Sequence, residues 1–345
     1  MRKTFFLLLV CQICFGAGEF SSAAGLFPEG ARSTVTVYLE NDIFSRTDQN
    51  YTHGCGVAWI SGDFAADRKA PFPTRPFFNL LSLMGTGGGS RNISLSLRQN
   101  IYTPENIDET RLIRYDQPYA GVTFFPIGFH EKNFSNMNSL ELDIGMIGPH
   151  SYADRSQKKL HELLDSKSPN GWNNQINDEF IVNINFDRRW RLLKKEIKGK
   201  FGYDILPHLG GGIGNMRSYF NAGAQARFGW ALPDNFGSYI IQPGCECAVP
   251  DGNKKAGKKN YPLFSFHLYT TIDGQAVLRD IFLDGNTFRK SHKVEKLPLV
   301  GALTLGSAVQ VYRFKIDYSY VILTKMFRTQ NASHLFGGIT LSLIL

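Results

Sequence analysis

Apolar and polar residues alternate with a period of two along most of this chain. In residues 33–44, Val35, Val37 and Leu39 alternate with Thr34, Thr36, Tyr38 and Glu40, the pattern of a strand with one apolar face. Residues 92–102 repeat it, with Ile93, Leu95, Leu97 and Ile101 against Ser94, Ser96, Arg98 and Asn100. Residues 139–148 set Leu140, Leu142, Ile144 and Met146 against Glu141 and Asp143. The stretches 52–61, 119–130, 179–190, 199–209, 217–229, 262–272, 300–312, 313–324 and 334–345 read the same way, which makes twelve strands. An even number of two-faced strands of about ten residues suits a membrane barrel, with lipid outside, a polar lumen and no open edge. A soluble sandwich also alternates. Charges on the polar faces, such as Arg98, Glu141, Asp143, Asp204 and Asp317, favour the barrel. So do aromatic residues near strand ends, Phe44, Tyr51, Trp59, Tyr102, Phe180 and Trp190. The predicted fold is all-β, a twelve-stranded antiparallel transmembrane β-barrel with a short extracellular helix.

The connections divide into short turns and long stretches, the latter at 62–90, 103–118, 149–178, 231–261 and 284–299. In a barrel this division separates the periplasmic from the outer side. Within the third stretch, Tyr152–Asp165 reads as a helix that places Leu160, Leu163 and Leu164 on one side. Before the first strand, Arg2 and Lys3 precede the apolar run Phe5–Val10, and Ser22-Ala23-Ala24 supplies small residues for cleavage. Residues 1–24 are therefore expected to be a signal peptide and 25–345 the barrel domain. No apolar run reaches the roughly 20 residues of a membrane helix.

The chain has 345 residues, 43% of them hydrophobic and 20% charged, with a net charge of +8. That balance excludes a disordered chain. Secretion separates the basic surface from nucleic acid, so that partner is not expected. The lysine-rich run 254–259 reads as a solvated loop tip or as a contact for lipid phosphates. After cleavage three cysteines remain, Cys55, Cys245 and Cys247, too few and too poorly spaced for a disulfide framework or a four-cysteine zinc site. G-x-S-x-G, H-E-x-x-H, P-loop and dinucleotide fingerprints are absent from the sequence.

Two groups of residues carry candidate chemistry. Asn41-Asp42 ends the first strand, and Thr52 lies at the start of the second. Alternation predicts that Asp42 and Thr52 both point into the lumen. A carboxylate, an amide and a hydroxyl at the barrel mouth are hard oxygen ligands suited to calcium; a turn-forming Asn-Asp pair and an ordinary strand threonine are the plainer reading. His161, on the predicted helix, is either a surface residue or a base for catalysis near neutral pH.

Several ordered segments, Glu40-Asn41-Asp42, Tyr51-Thr52-His53-Gly54, Gln99 to Pro104, Gln117 to Gly121, Ile147-Gly148-Pro149, His161 and Gly171 to Gln175, together resemble the outer-membrane lipid A 3′-O-deacylase family. The resemblance runs from about residue 33 to the end. It implies a monomeric outer-membrane enzyme of a Gram-negative bacterium, its active site facing outside, that removes the 3′-linked acyloxyacyl chain of lipid A in lipopolysaccharide with Ca2+. It further implies His161 as general base, Asn41, Asp42 and Thr52 as shapers of the catalytic site, and Asp42 as the metal ligand. Two departures stand out. The 103–118 loop has no lysine to stabilise an oxyanion, its nearest cations being Arg111 and Arg114, which with Tyr102 are the expected substrate contacts. Six residues after His161, where the family can carry an acid, stands Lys167. The competing functions are an outer-membrane phospholipase A, which needs a Ser–His pair, and a non-catalytic barrel acting as a channel or adhesin.

Overall fold

The computed structural model describes residues 33–42, 50–65, 74–85, 89–197, 200–237 and 263–345. The expected signal peptide, Cys245, Cys247 and the 254–259 lysine run lie outside them. Fourteen strands follow one another: β1 (Thr34–Asn41), β2 (Asn50–Ile60), β3 (Phe64–Ala65), β4 (Ser90–Thr103), β5 (Ala120–Lys132), β6 (Asn136–Ile147), β7 (Glu179–Trp190), β8 (Leu193–Glu196), β9 (Phe201–Gly214), β10 (Arg217–Trp230), β11 (Phe264–Asp280), β12 (Leu299–Val311), β13 (Phe314–Leu323) and β14 (His334–Ile344). Among the described residues three α-helices join them: α1 (Arg75–Leu83), α2 (Ala153–Leu164) and α3 (Ile281–Asp284).

Twelve of the strands are the staves of a closed antiparallel barrel, as the alternation predicts. β1 pairs with β14 from Thr34↔Ile344 to Asn41↔Gly337, which leaves no edge. The other two are short. β3 pairs with the start of β4, and β8 carries the stave of β7 onward past Arg191 along β9.

The distribution of side chains is inverted relative to a soluble protein. Leu95, Leu97, Phe125, Ile184, Leu268 and Ile316 are exposed on the outer wall, where hydrocarbon replaces water. Charged residues fill the inside in matched pairs: Arg98 with Glu141 at 3.6 Å, Arg217 with Asp280 at 3.3 Å, Lys315 with Asp317 at 3.2 Å. Arg227 grips Asp204 through two bonds of 2.8 and 2.5 Å, the fork geometry of the strongest charge-assisted pairs.

Both mouths are closed by side chains. At the end away from the termini, Tyr51, Tyr102, Phe124, Met216, Phe282 and Phe336 form an apolar plug, with Phe282 stacked 3.9 Å from Tyr102. Tyr51 and Tyr102 therefore line the interior and do not belong to an aromatic girdle, whereas Phe180 is exposed on the wall. At the other end, Phe236 packs on Ile60, Met137 and Leu206, while Arg191 donates to the carbonyls of Asp234 and Asn235.

The long connections do not segregate by side. Following the alternating strand directions, 103–118, 149–178 and 284–299 fall at the end away from the termini, but the chain leaves β2 after Ile60 and β10 after Trp230 at the end that carries them. Part of 62–90 is α1, a helix where the sequence pattern predicts an irregular stretch. It lies on the outer wall: Phe77 stacks on Phe129 at 4.3 Å, and Phe78 and Leu81 are buried beside it.

Candidate active site

A bulge at the start of β2 determines where the polar motifs point. Tyr51 pairs with Tyr102 and His53 with Ile101, so Thr52 is an extra residue in the ladder. In such a bulge two adjacent residues oppose one partner and the strand's alternation changes phase. Tyr51 therefore faces inward, and its hydroxyl donates to Glu40 Oε2 at 2.7 Å. To do so it passes over Gly54, where a Cβ would stand 1.9 Å from that hydroxyl. Any larger residue would displace the tyrosine. This is the physical content of the Tyr-Thr-His-Gly run.

Thr52 accordingly does not point into the lumen. Its Oγ1 lies 2.6 Å from Thr103 Oγ1, and Thr103 shares the outward face of β4 with Leu95, Leu97 and Ile101. Asn41 is also outward, in phase with Val35, Val37 and Leu39. Its Nδ2 lies 3.3 Å from Nδ1 of His53, its partner across the ladder. Asp42 follows where β1 gives way to helical turn geometry, so strand alternation does not set its direction, and it is fully buried. Asn41 and Thr52 thus lie on the outer wall at the rim and not in the barrel mouth.

α2 covers this patch from the membrane side. The helix buries Ala153, Gln157 and His161, a stripe with a spacing of four along one face. Leu163, one of the leucines on the helix's apolar side, is half exposed. Ala153 sits on the wall over Gly121, where a Cβ would come within 2.0 Å of the alanine Cβ. Ile101, Tyr119, Ala153 and Trp172 make one apolar cluster between helix and strands. Trp172 donates from Nε1 to Gln157 Oε1 at 2.8 Å, which assigns the Gly171–Gln175 cluster to holding the helix. The turn before the helix is tied to the wall as well: the Ser151 carbonyl accepts from Gln99 Nε2 and Thr123 Oγ1, both at 2.8 Å.

At the far end of α2, Asp165 adopts the left-handed conformation with φ of 56° and stops the helix. The chain then folds back until the Lys167 carbonyl bonds His161 Nδ1. A carbonyl only accepts, so Nδ1 carries the proton and the neutral ring offers Nε2 as its basic nitrogen. His161 is nearly buried and within electrostatic reach of His53. Position 167 thus acts on the histidine through its backbone. Its side chain does something else: Lys167 Nζ pairs with Asp108 Oδ2 at 2.7 Å, joining the 148–178 and 104–119 connections, and this pairing raises the lysine pKa.

The remaining expected contacts lie elsewhere. Tyr102 is inside the plug, on the opposite side of the wall from Ile101 and Thr103. Arg111 and Arg114 are exposed on the rim loop; the Arg111 backbone N–H donates to Glu109 Oε1 at 2.9 Å, and the Arg114 carbonyl meets His292 Nε2 at 3.2 Å. His53 and Thr103 join the site without having been singled out as functional. Alternation offered a signal for this, because it puts Asn41 on the lipid face of the first strand. Among the described residues, no three His, Cys, Asp or Glu side chains cluster as metal ligands. What the site does offer a metal is oxygen, from the buried Asp42 carboxylate and the adjacent Asn41 amide, the donor type calcium takes.

No curated protein matches the chain. The solved structure of LpxR from Salmonella typhimurium is similar at a TM-score of 0.70 and 14% identity, over 90% of this chain and 99% of that one. The β-domain of the Bordetella autotransporter BrkA aligns over 91% of this chain and 99% of that one, with 7% identity and a TM-score of 0.41. At such identities the likeness to the Salmonella barrel speaks for the fold alone. Family membership rests on sequence: residues 5–345 match the family described as outer membrane protein LpxR, and the chain belongs to that family, as an integral β-barrel of the Gram-negative outer membrane.

Proposed function

We propose that this protein is a lipid A deacylase that hydrolyses the ester carrying the 3′-linked acyloxyacyl chain, with calcium as cofactor. The observation that carries the reading is His161: a histidine with its tautomer fixed by a backbone carbonyl, held against the lipid-facing wall at the rim by a helix whose buried stripe is polar. A base in that position meets the ester of a lipid embedded beside the barrel. His161 Nε2 takes a proton from water as the water attacks the ester carbonyl, then returns it to the departing sugar oxygen. Asn41 and Thr52 shape the surface on which the carbonyl lies. Arg111 and Arg114, exposed above it, face the layer of lipid A phosphates, which guanidinium groups bind through paired hydrogen bonds. Bound calcium supplies Lewis-acid polarisation of the carbonyl. Asp42 and the Asn41 amide are the oxygen donors that fit it.

The phospholipase alternative needs an accessible serine–histidine pair. His130 does lie 3.0 Å from Ser94 and 2.8 Å from Ser139, but it is fully buried in the lumen, away from any acyl chain.

Mass spectrometry of lipid A tests the proposal in cells that express the wild-type protein or His161→Ala, with calcium supplied or chelated. Loss of the 3′ acyloxyacyl mass is expected only with wild-type protein and calcium, and Asp42→Asn should require more calcium for the same conversion. A base contributes about 10²- to 10⁴-fold, so His161→Ala should fall to background while retaining the heat-resistant migration of a folded barrel. Unchanged lipid A in the presence of folded wild-type protein and calcium would overturn the reading.

A further inference from the structure

A cavity of about 600 Å³ opens on the outer wall at the same rim, between the top of β7, the Asn215 turn that joins β9 to β10, and the 281–298 connection. It is separate from the candidate active site. α2 rests on β4 and β5, whereas this cavity starts at β7, roughly 10 Å further around the wall at two strand spacings.

Its lining is amphipathic in a definite order. Phe180 and Val182 are exposed on the lipid-facing side of β7 and continue downward into Ile184, an apolar track 57%, 43% and 46% exposed that runs into the membrane belt. Above the track stand Phe288, 79% exposed, and Arg289. Two carboxylates also line the cavity, and both are engaged within the protein. Asp178 accepts from the backbone N–H of His150 at 2.8 Å and pairs with its ring at 2.6 Å. Glu179 accepts from Thr287 N at 2.7 Å and Asn215 Nδ2 at 2.9 Å. The guanidinium of Arg289 has no hydrogen-bond or ion-pair partner among the described residues and is followed at once by Lys290. The cavity therefore presents a positive group at headgroup height and an apolar track directly beneath it.

We infer that this cavity is a second, non-catalytic lipid site, which holds a phosphate of an outer-leaflet lipid A molecule against Arg289 and lays an acyl chain along Phe180, Val182 and Ile184. Charge complementarity selects the occupant. A zwitterionic phospholipid brings its own ammonium group to the same height, and a neutral chain makes no use of the arginine. The inference rests on the outer-membrane placement and not on the deacylase reading.

Native mass spectrometry of the detergent-solubilised barrel tests it in the His161→Ala background, where bound lipid is not consumed. The probes are phosphorylated lipid A, the same lipid stripped of its phosphates, and phosphatidylethanolamine. Arg289→Glu should carry one fewer bound lipid A, or bind it at least fivefold more weakly. Lys325→Glu, with the same charge change on the far side of the rim, should bind as the parent does. Phe288→Ser should weaken both forms of lipid A, and the stripped lipid should be indifferent to Arg289→Glu. Equal binding by the parent and Arg289→Glu, an equal loss in Lys325→Glu, or full displacement by phosphatidylethanolamine would overturn the inference. Heat-resistant migration of each variant separates lost binding from lost folding. Because no hydrolysis is read, the result stands apart from that of the deacylase test.

Discussion

Lys167 occupies a position where the family resemblance leads one to expect an acid, yet the contact that matters to His161 comes from its carbonyl. Every residue type has that carbonyl, so the substitution leaves the histidine's tautomer untouched. The Lys167–Asp108 pair is largely exposed, and such pairs contribute about 0–1 kcal/mol. Lys167→Ala is therefore expected to retain activity to within about fivefold in the lipid A assay, one kcal/mol being worth roughly that factor. Lys167→Pro should lose far more, because a proline ring fixes the backbone that places the carbonyl. Equal losses in the two variants would move the important contact to the ammonium. The sequence showed the residue types of this site clearly and their directions poorly. Asn41 on the apolar phase of β1 could be read directly. Thr52 could not, because one extra residue reverses the phase of everything before it, and a bulge leaves no composition signal strong enough to reveal it.

Among the elements, the staves were the most legible and α1, which falls in a stretch whose pattern reads as irregular, the least. Lipid on one side and ion pairs on the other impose strict alternation, and the observed β7 and β10 match the expected spans to within a residue. β9 and β11 run longer than expected, to Gly214 and Asp280. Their upper ends carry Gly210 to Gly212 or Asp273-Gly274, which read as turns. In the barrel those glycines leave room for neighbouring side chains such as Asn185 and Tyr219. α2 lies where the sequence places it, with Ala153, Gln157 and His161 against the wall and Leu163 half exposed. Its opposite face carries the exposed Arg155, Lys158, Lys159 and Glu162, and the stripe on the wall is held by specific contacts, Gln157 with Trp172 and His161 with the Lys167 carbonyl, rather than by leucine burial. Docking of that stripe depends on Gly121. Gly121→Leu should lift α2 from the wall, and the expected outcome is loss of deacylation and faster proteolysis within 148–178, with heat-resistant migration unchanged. Preserved activity would show that the helix tolerates displacement.

In the whole molecule, the sealed interior forces any chemistry to the outside. Among the described residues, ion pairs occupy the lumen, and an apolar cluster at one mouth and the arginine-tethered 234–236 segment at the other pack across its ends. Removing half of a buried pair leaves a charge with nothing to compensate it, at a cost of about 3–5 kcal/mol. Arg227→Ala strands the fully buried Asp204 and should lower the temperature at which the barrel loses its heat-resistant migration. Arg227→Met with Asp204→Leu should recover most of the loss, since a well-packed apolar pair of similar volume is often as stable as a buried ionic one. The same architecture predicts no steady conductance when the protein is reconstituted in planar bilayers. Arg227→Ala should not create one, because Phe282 and its partners close the outer mouth independently of the Asn235–Phe236 segment that Arg227 helps to hold at the other. A steady open level in the wild-type protein would instead restore the lumen as the working part of the barrel.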